Sequence, residues 1–194
     1  HREMDRCLEL GIGQALVGNL GQVEPVRSMG FDLRGDFGLQ VFNSQAVKEY
    51  KRMGFRSLTA SFELKLAQIR DLAKAVDVEM IAYGRLPLMI TENCIIHNQF
   101  GRHVCTNSNV LTDRKGVRFP VVKAWGCRNE ILNANKLFLA DKAGSYARLG
   151  LWAVRLCFTT ENGLECAQVL ERYRGEGAYT PTDYTRGLYY RDVE

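Results

Sequence analysis

The chain has 194 residues, 46% of them hydrophobic and 25% charged, an ordinary globular composition with enough apolar side chains for one core. Its 26 basic and 22 acidic residues leave a formal charge of +4 without any basic block, which permits an acidic partner and does not require one. No apolar run approaches the roughly 18 residues of a membrane span and no charged-then-apolar leader opens the chain, so the expectation is a cytoplasmic protein with no membrane partner.

Taken in order, Met4, Cys7 and Leu8 stand at helical spacing, so His1 to Leu10 reads as the last turns of a helix. Gln14 to Asn19 reads as a short strand, and Pro25 to Met29 as a short helix ended by Gly30. Phe31 to Phe42 is a second strand region, interrupted by Gly35 and Gly38. Asn43 or Ser44 can cap the helix that follows, whose Ala46, Val47, Tyr50 and Met53 share one apolar face. The same order repeats with a strand from Arg56 to Leu64, an amphipathic helix from Lys65 to Val76, and a strand from Asp77 to Arg85.

A strand followed by a helix of about ten residues, repeated, predicts a mainly parallel α/β fold with right-handed crossovers. Beyond it, Cys94, His97, His103 and Cys105 fall in one segment that reads as a loop. A β-hairpin insertion is then predicted at 109–127, turning at Lys115 and Gly116, with Pro120 on an edge strand. Gly144 to Leu149 reads as a brief helix, Trp152 to Phe158 as a buried strand and Glu161 to Tyr173 as a final helix. The division is a main body at 1–174 and an aromatic and basic extension at 175–194, packed across that body. A closed eightfold barrel needs about 250 residues. The roughly five units here predict a smaller open sheet or the rear part of a barrel.

The motif GRLPLM at Gly84 to Met89, with Cys94 five residues on, is followed by LTDRKGVRFPV at Leu111 to Val121, RLCFTTEN at Arg155 to Asn162 and TRGLYYR at Thr185 to Arg191. Together with VFNS at Val41 to Ser44 and SFEL at Ser61 to Leu64, these resemble the collagenase-like peptidase family of unknown catalytic type, the U32 peptidases. The resemblance runs along nearly the whole chain. It implies the C-terminal part of a TIM-barrel-like (βα) domain, with the hairpin as an insertion. It also implies two activities: the peptide hydrolysis of the family's label, and the hydroxylation of RNA bases or quinone precursors supported by relatives that hold an iron–sulfur cluster on four cysteines. A non-catalytic interaction domain is the third reading.

Six cysteines without a secretion signal read as reduced thiols or metal ligands rather than disulfides. In a barrel, Cys94, Cys105, Cys127 and Cys166 would all follow the C-terminal ends of strands, where such folds place their sites. Four thiolates suit a 4Fe-4S cluster or zinc. Cys157, inside the strand run VRLCF, suits packing better, so Cys166 is preferred as the fourth ligand. The cysteines contain no CxxC, and buried thiols in a core are the competing reading. For hydrolysis there is no GxSxG and no HExxH, and the catalytic residues are not identified. With His1 at the extreme end, a nucleophile–base pair would be Cys94 with His97 or Cys105 with His103. Arg85, Asn43 and Glu63, near predicted strand ends, are the candidate contacts to a peptide or RNA substrate, Arg85 because its fork suits a carboxylate or phosphate. Asp36 and Glu63 equally suit loop caps, and Arg85 equally suits a structural salt bridge.

Overall fold

The computed structural model describes residues 2–102, 104, 106 and 109–190. His1, His103, Cys105 and Arg191, all named above, lie outside the described residues. The chain forms two compact units, the first from His1–Ile81, Asp141–Arg155 and Gly187–Glu194, the second from Ala82–Ala140 and Leu156–Arg186.

The first unit opens with α1 (Arg2–Glu9), β1 (Gln14–Val17), α2 (Val23–Ser28) and β2 (Asp32–Gly35). It continues with α3 (Ser44–Arg52), β3 (Phe55–Thr59), α4 (Leu66–Asp71) and the beginning of β4 (Asp77–Gly84). The strands pair side by side and parallel, with Ala15 opposite Leu33, Gly35 opposite Leu58 and Leu58 opposite Val78. A parallel pair needs a crossover between its strands, and α2, α3 and α4 supply it. Val17, Leu33, Val47, Leu58, Ile69 and Val78 are buried, each such side chain contributing about 1.5–3 kcal/mol over leaving it exposed. The alternation read from the sequence is therefore present as a mixed α/β fold with mostly parallel strands. Among the described residues the strands do not close into a barrel.

Several elements of this unit are shorter than their sequence patterns, β3 among them, and for the second strand region and α4 the contacts that end them are plain. The second strand region stops at Gly35 because the Asp36 carboxylate accepts from the Phe37 N–H at 2.8 Å and starts a short 3-10 turn over Phe37–Leu39. Val41 then returns only as an isolated bridge to Ala60. Helix α4 stops at Asp71, short of the predicted Val76. Leu72 is extended, the Lys74 ammonium donates to the Ile69 and Leu72 carbonyls at 2.6 and 3.0 Å, and the Ser44 hydroxyl accepts from the Ala73 N–H at 2.8 Å. These contacts take the backbone groups that a longer helix would have bonded itself.

The second unit begins inside β4 and continues with β5 (Pro87–Thr91), α5 (Ile95–Phe100), β6 (Val110–Thr112), β7 (Arg118–Lys123), β8 (Asn129–Leu132) and β9 (Lys136–Phe138). The chain then adds α6 (Ala143–Tyr146) and most of β10 (Ala153–Cys157) to the first unit, and α7 (Gly163–Arg174) and β11 (Tyr184–Thr185) to the second. Four strands form an antiparallel sheet in the order β5-β8-β7-β6. The hairpin is there as β6 and β7, but β7 is internal rather than the edge strand expected from Pro120. The proline is tolerated because β7 changes partners at that residue: Arg118 to Pro120 pair with β6, whereas Val121 to Lys123 pair with β8. The Val121 N–H donates to Asn109 on the β6 side. By alternation the Pro120 nitrogen faces the other side, where the ladder with β8 has not yet begun.

The end of β4 pairs antiparallel with β9, Tyr83 opposite Phe138, and β11 pairs parallel with β9. Helix α7 lays Val169 against Tyr83 and Phe138. The Tyr173 hydroxyl lies 2.6 Å from the Ala82 carbonyl and accepts from the Leu139 N–H at 3.0 Å. In the first unit Tyr189 is buried, its hydroxyl donating to the Ile81 carbonyl at 2.7 Å while its own carbonyl accepts from the Leu66 N–H. Tyr189 is thus tied to the first unit by both its side chain and its backbone.

Candidate functional site

The segment from Cys94 to Cys105, expected to be a loop, contains α5. Cys94 caps it, its Sγ accepting from the His97 N–H at 3.4 Å, and Gly101 closes it in the left-handed conformation. Cys94 is buried with Ile96, Val121 and Ile131, and Cys127, Phe119 and Val104 pack against the same cluster. Cys127 follows Gly126 (φ 71°) and itself has φ 65°, a conformation uncommon for a residue with a side chain. Two of the four candidate ligands therefore share one small core, and Val104, also packed there, is the chain neighbour of Cys105. Cys166 stands on the first half of α7 and Cys157 ends β10. Among the described residues no three His, Cys, Asp or Glu side chains gather in metal-binding geometry.

A second constellation in the same unit was not legible in the sequence. The Lys136 ammonium reaches Glu165 Oε1 at 2.5 Å and Glu161 Oε1 at 3.1 Å, and the Glu161 side chain is fully buried. The Tyr83 hydroxyl donates to Glu161 at 3.2 Å, and the Tyr179 hydroxyl donates to Glu165. Burial would raise the Glu161 carboxyl, but the Thr159 N–H and the Lys136 ammonium outweigh it and hold the group below the usual carboxylate range. Burial is also the main reason that the Tyr83 phenol is pushed well above its ordinary value, helped by its bond to Tyr179 and the Glu161 charge, so it stays a donor. Arg85 borders this group; its Nη1 donates to the Asn133 carbonyl at 2.9 Å and to that of Ala134.

Because the folded Glu161 carboxyl sits below its unfolded value, its stabilisation is present above the ordinary glutamate range and is lost as pH falls through the depressed value. Denaturant titrations between neutral and acid pH should show the wild-type stability falling more steeply than that of Glu161→Gln. Parallel slopes would remove Glu161 as the source.

In the first unit Arg155, on β10, is held by two carboxylates. It donates to Asp36 Oδ1 at 2.5 Å, to the Thr59 hydroxyl at 2.9 Å and to Glu79. Burial works against its charge, and Glu79 and Asp36 outweigh that cost. Asp36 thus both caps a loop and forms an ion pair. The only sequence sign of this cluster was an arginine in an apolar strand run, a position that demands a counter-charge. Asn43 caps α3, its carboxamide oxygen accepting from the N–H groups of Gln45 and Ala46 at 3.0 and 2.9 Å. Glu63 is exposed in the turn after β3, where its N–H donates to the Ser61 hydroxyl. Asn43 and Glu63 belong to the first unit and Arg85 to the second.

A protein-family model described as peptidase family U32 matches residues 2–111, a span that includes GRLPLM, Cys94 and Cys105 and ends in β6. No curated protein and no solved structure matches the chain.

Proposed function

The chain belongs to peptidase family U32, and from that premise we propose that its working element is a metal centre held by Cys94, Cys105, Cys127 and Cys166, a 4Fe-4S cluster or, in its place, zinc. The observation that carries this reading is the packing of the half-buried Cys127 against the buried cluster that contains Cys94, in the second unit. The donor set fits, since soft thiolates select iron–sulfur clusters and zinc over hard cations. When bound, a cluster would supply one-electron chemistry and zinc a Lewis acid. The chain's own contribution is more specific. The His97 N–H donates to Cys94 Sγ, orienting it and stabilising negative charge on sulfur. Ile96, Val121 and Ile131 shield the Cys94 thiol from water.

The process served is hydroxylation of an RNA base or a quinone precursor, in line with the cysteine-bearing relatives that the motifs resemble. Arg85 is assigned to the substrate's anionic group; β1 to β4 would form part of a barrel-like (βα) arrangement. Peptide hydrolysis is the second reading, favoured by the family match itself.

Anaerobically purified protein should carry about four irons per chain and broad visible absorption, or about one zinc if the site is of the other kind. Cys94→Ala and Cys127→Ala should each abolish metal binding. Intact, oxygen-protected protein without either metal would sink the reading, and peptide cleavage by that metal-free protein would establish the hydrolytic one.

A further inference from the structure

At the N-terminal ends of β2, β3 and β4 the first unit carries a groove of about 960 Å³. Among the described residues that line it are five cations, Arg27, Arg34, Lys51, Arg56 and Lys74, against two carboxylates, Asp32 and Asp77. Both carboxylates are already engaged, Asp32 by Arg56 at 3.3 Å and Asp77 by Arg34 at 3.8 Å. Arg27, Lys51 and Lys74 are left in excess, and all three are exposed. Arg27 pairs with Glu24 across solvent, a contact that competes weakly with a ligand. Lys51 forms no ion pair among the described residues.

Each of the three has a local reason for its place. Arg27 and Lys51 stand in the last turns of α2 and α3, where a positive charge complements the helix dipole, and Lys74 donates to carbonyls at the end of α4. What folding adds is their order. Because β2, β3 and β4 lie side by side, the helices that lead into them also end side by side. Neighbouring helices pack about 8–10 Å apart, so the three cations form a row roughly 16–20 Å long.

The row is too long for one phosphate group, which would meet a single cation, whereas a polymer with a phosphate at every residue meets all three. Its place agrees, since α/β folds keep small-ligand sites at the C-terminal ends of their strands and this groove lies at the other end. The aromatic rings among its described lining residues, Phe31 and Phe55, are buried, so the groove offers bases no stacking platform.

We propose that this groove holds the sugar–phosphate backbone of RNA, with Arg27, Lys51 and Lys74 each taking a phosphate and no base being read. The proposal deepens the RNA reading of the function, on which it rests for the choice of polymer, and does not involve the thiols.

The test is fluorescence anisotropy on the full chain with labelled oligouridylate. Three phosphate contacts predict an affinity that falls about twentyfold between about 50 and 200 mM salt. Lys51→Glu should weaken binding about tenfold and flatten the dependence of log affinity on log salt by about 0.7, and Arg27→Glu should do the same. Arg52→Glu is the matched control, the same charge change one position along α3 on an exposed residue outside the groove lining, and should stay within about twofold of wild type. Equal loss in Arg52→Glu and Lys51→Glu would overturn the location. Oligodeoxythymidylate should bind within about threefold of oligouridylate, since phosphate contacts carry no sugar or base information, and a large difference would overturn backbone contact alone. Tripolyphosphate or polyglutamate competing as well as oligouridylate would overturn the nucleic-acid polymer in favour of a small phosphorylated ligand or an acidic protein. Metal-bearing protein that binds no RNA would sink this proposal and leave the metal reading standing, and Lys51-dependent RNA binding by metal-free protein would support it while the metal reading falls.

Discussion

Replacing Gly84 with alanine is expected to destabilise the second unit by about 3–5 kcal/mol, enough to unfold a marginal domain. Gly84 ends β4 at φ +124°, a region that side chains avoid, and occupying it costs on the order of 1–3 kcal/mol by itself. The greater cost is steric. A Cβ at this position would lie 2.1 Å from the Cys157 carbonyl oxygen and 2.9 Å from the Cys157 Cβ. The obstruction is backbone at the end of β10, so it cannot swing away as a flexible side chain would. Urea denaturation followed by circular dichroism measures the loss. Gly163→Ala is the matched control, because nothing lies within 4 Å of that Cβ position and the residue opens α7, where alanine is the better helix former. Equal stability in the two variants would show that the approach of Gly84 to Cys157 is not limiting.

Lys136→Met should cost a similar amount, about 3–5 kcal/mol at neutral pH, because it removes one partner from a buried ion cluster and leaves the others charged. The Lys136 side chain is 11% exposed and that of Glu161 is 0% exposed, so water cannot replace the lost ammonium. Glu165, whose carboxylate bonds the same nitrogen, would be left beside Glu161 with no cation between them. The methionine preserves the apolar stem and isolates the charge. Adding Glu161→Gln to Lys136→Met should recover part of the loss, since one of the stranded charges is then gone. Denaturation of the two single variants and the double variant at neutral pH measures the coupling. Strict additivity would mean that the two groups do not interact.

The thiols and the charged clusters were unequally legible in the sequence. Cys94 and Cys127 could be named because cysteine is a rare residue with few uses, and the fold does bring both into one cluster. Helix α5 between Cys94 and Cys105 was missed, since a six-residue helix carries less than two turns of periodic signal. The antiparallel partners of the hairpin, β5 and β8, were missed because short apolar runs do not say which strand they will join. Lys136 and Glu161 gave no sign of each other. Ordinary charged residues 25 positions apart become a pair only when β9 and α7 are packed together.

What the sequence by itself determined is the parallel alternation from β1 to β4 and the membership of peptidase family U32. Both rest on local or contiguous pattern: the period of apolar residues, the glycines that end helices, and motifs read in order along the chain. Tertiary structure alone decided where α4 stops, how β7 accommodates Pro120, and which carboxylates neutralise Arg155 and Lys136. Each of these is a matter of satisfying a polar group or a charge once water has been removed. The partner that does so is set by packing between distant segments.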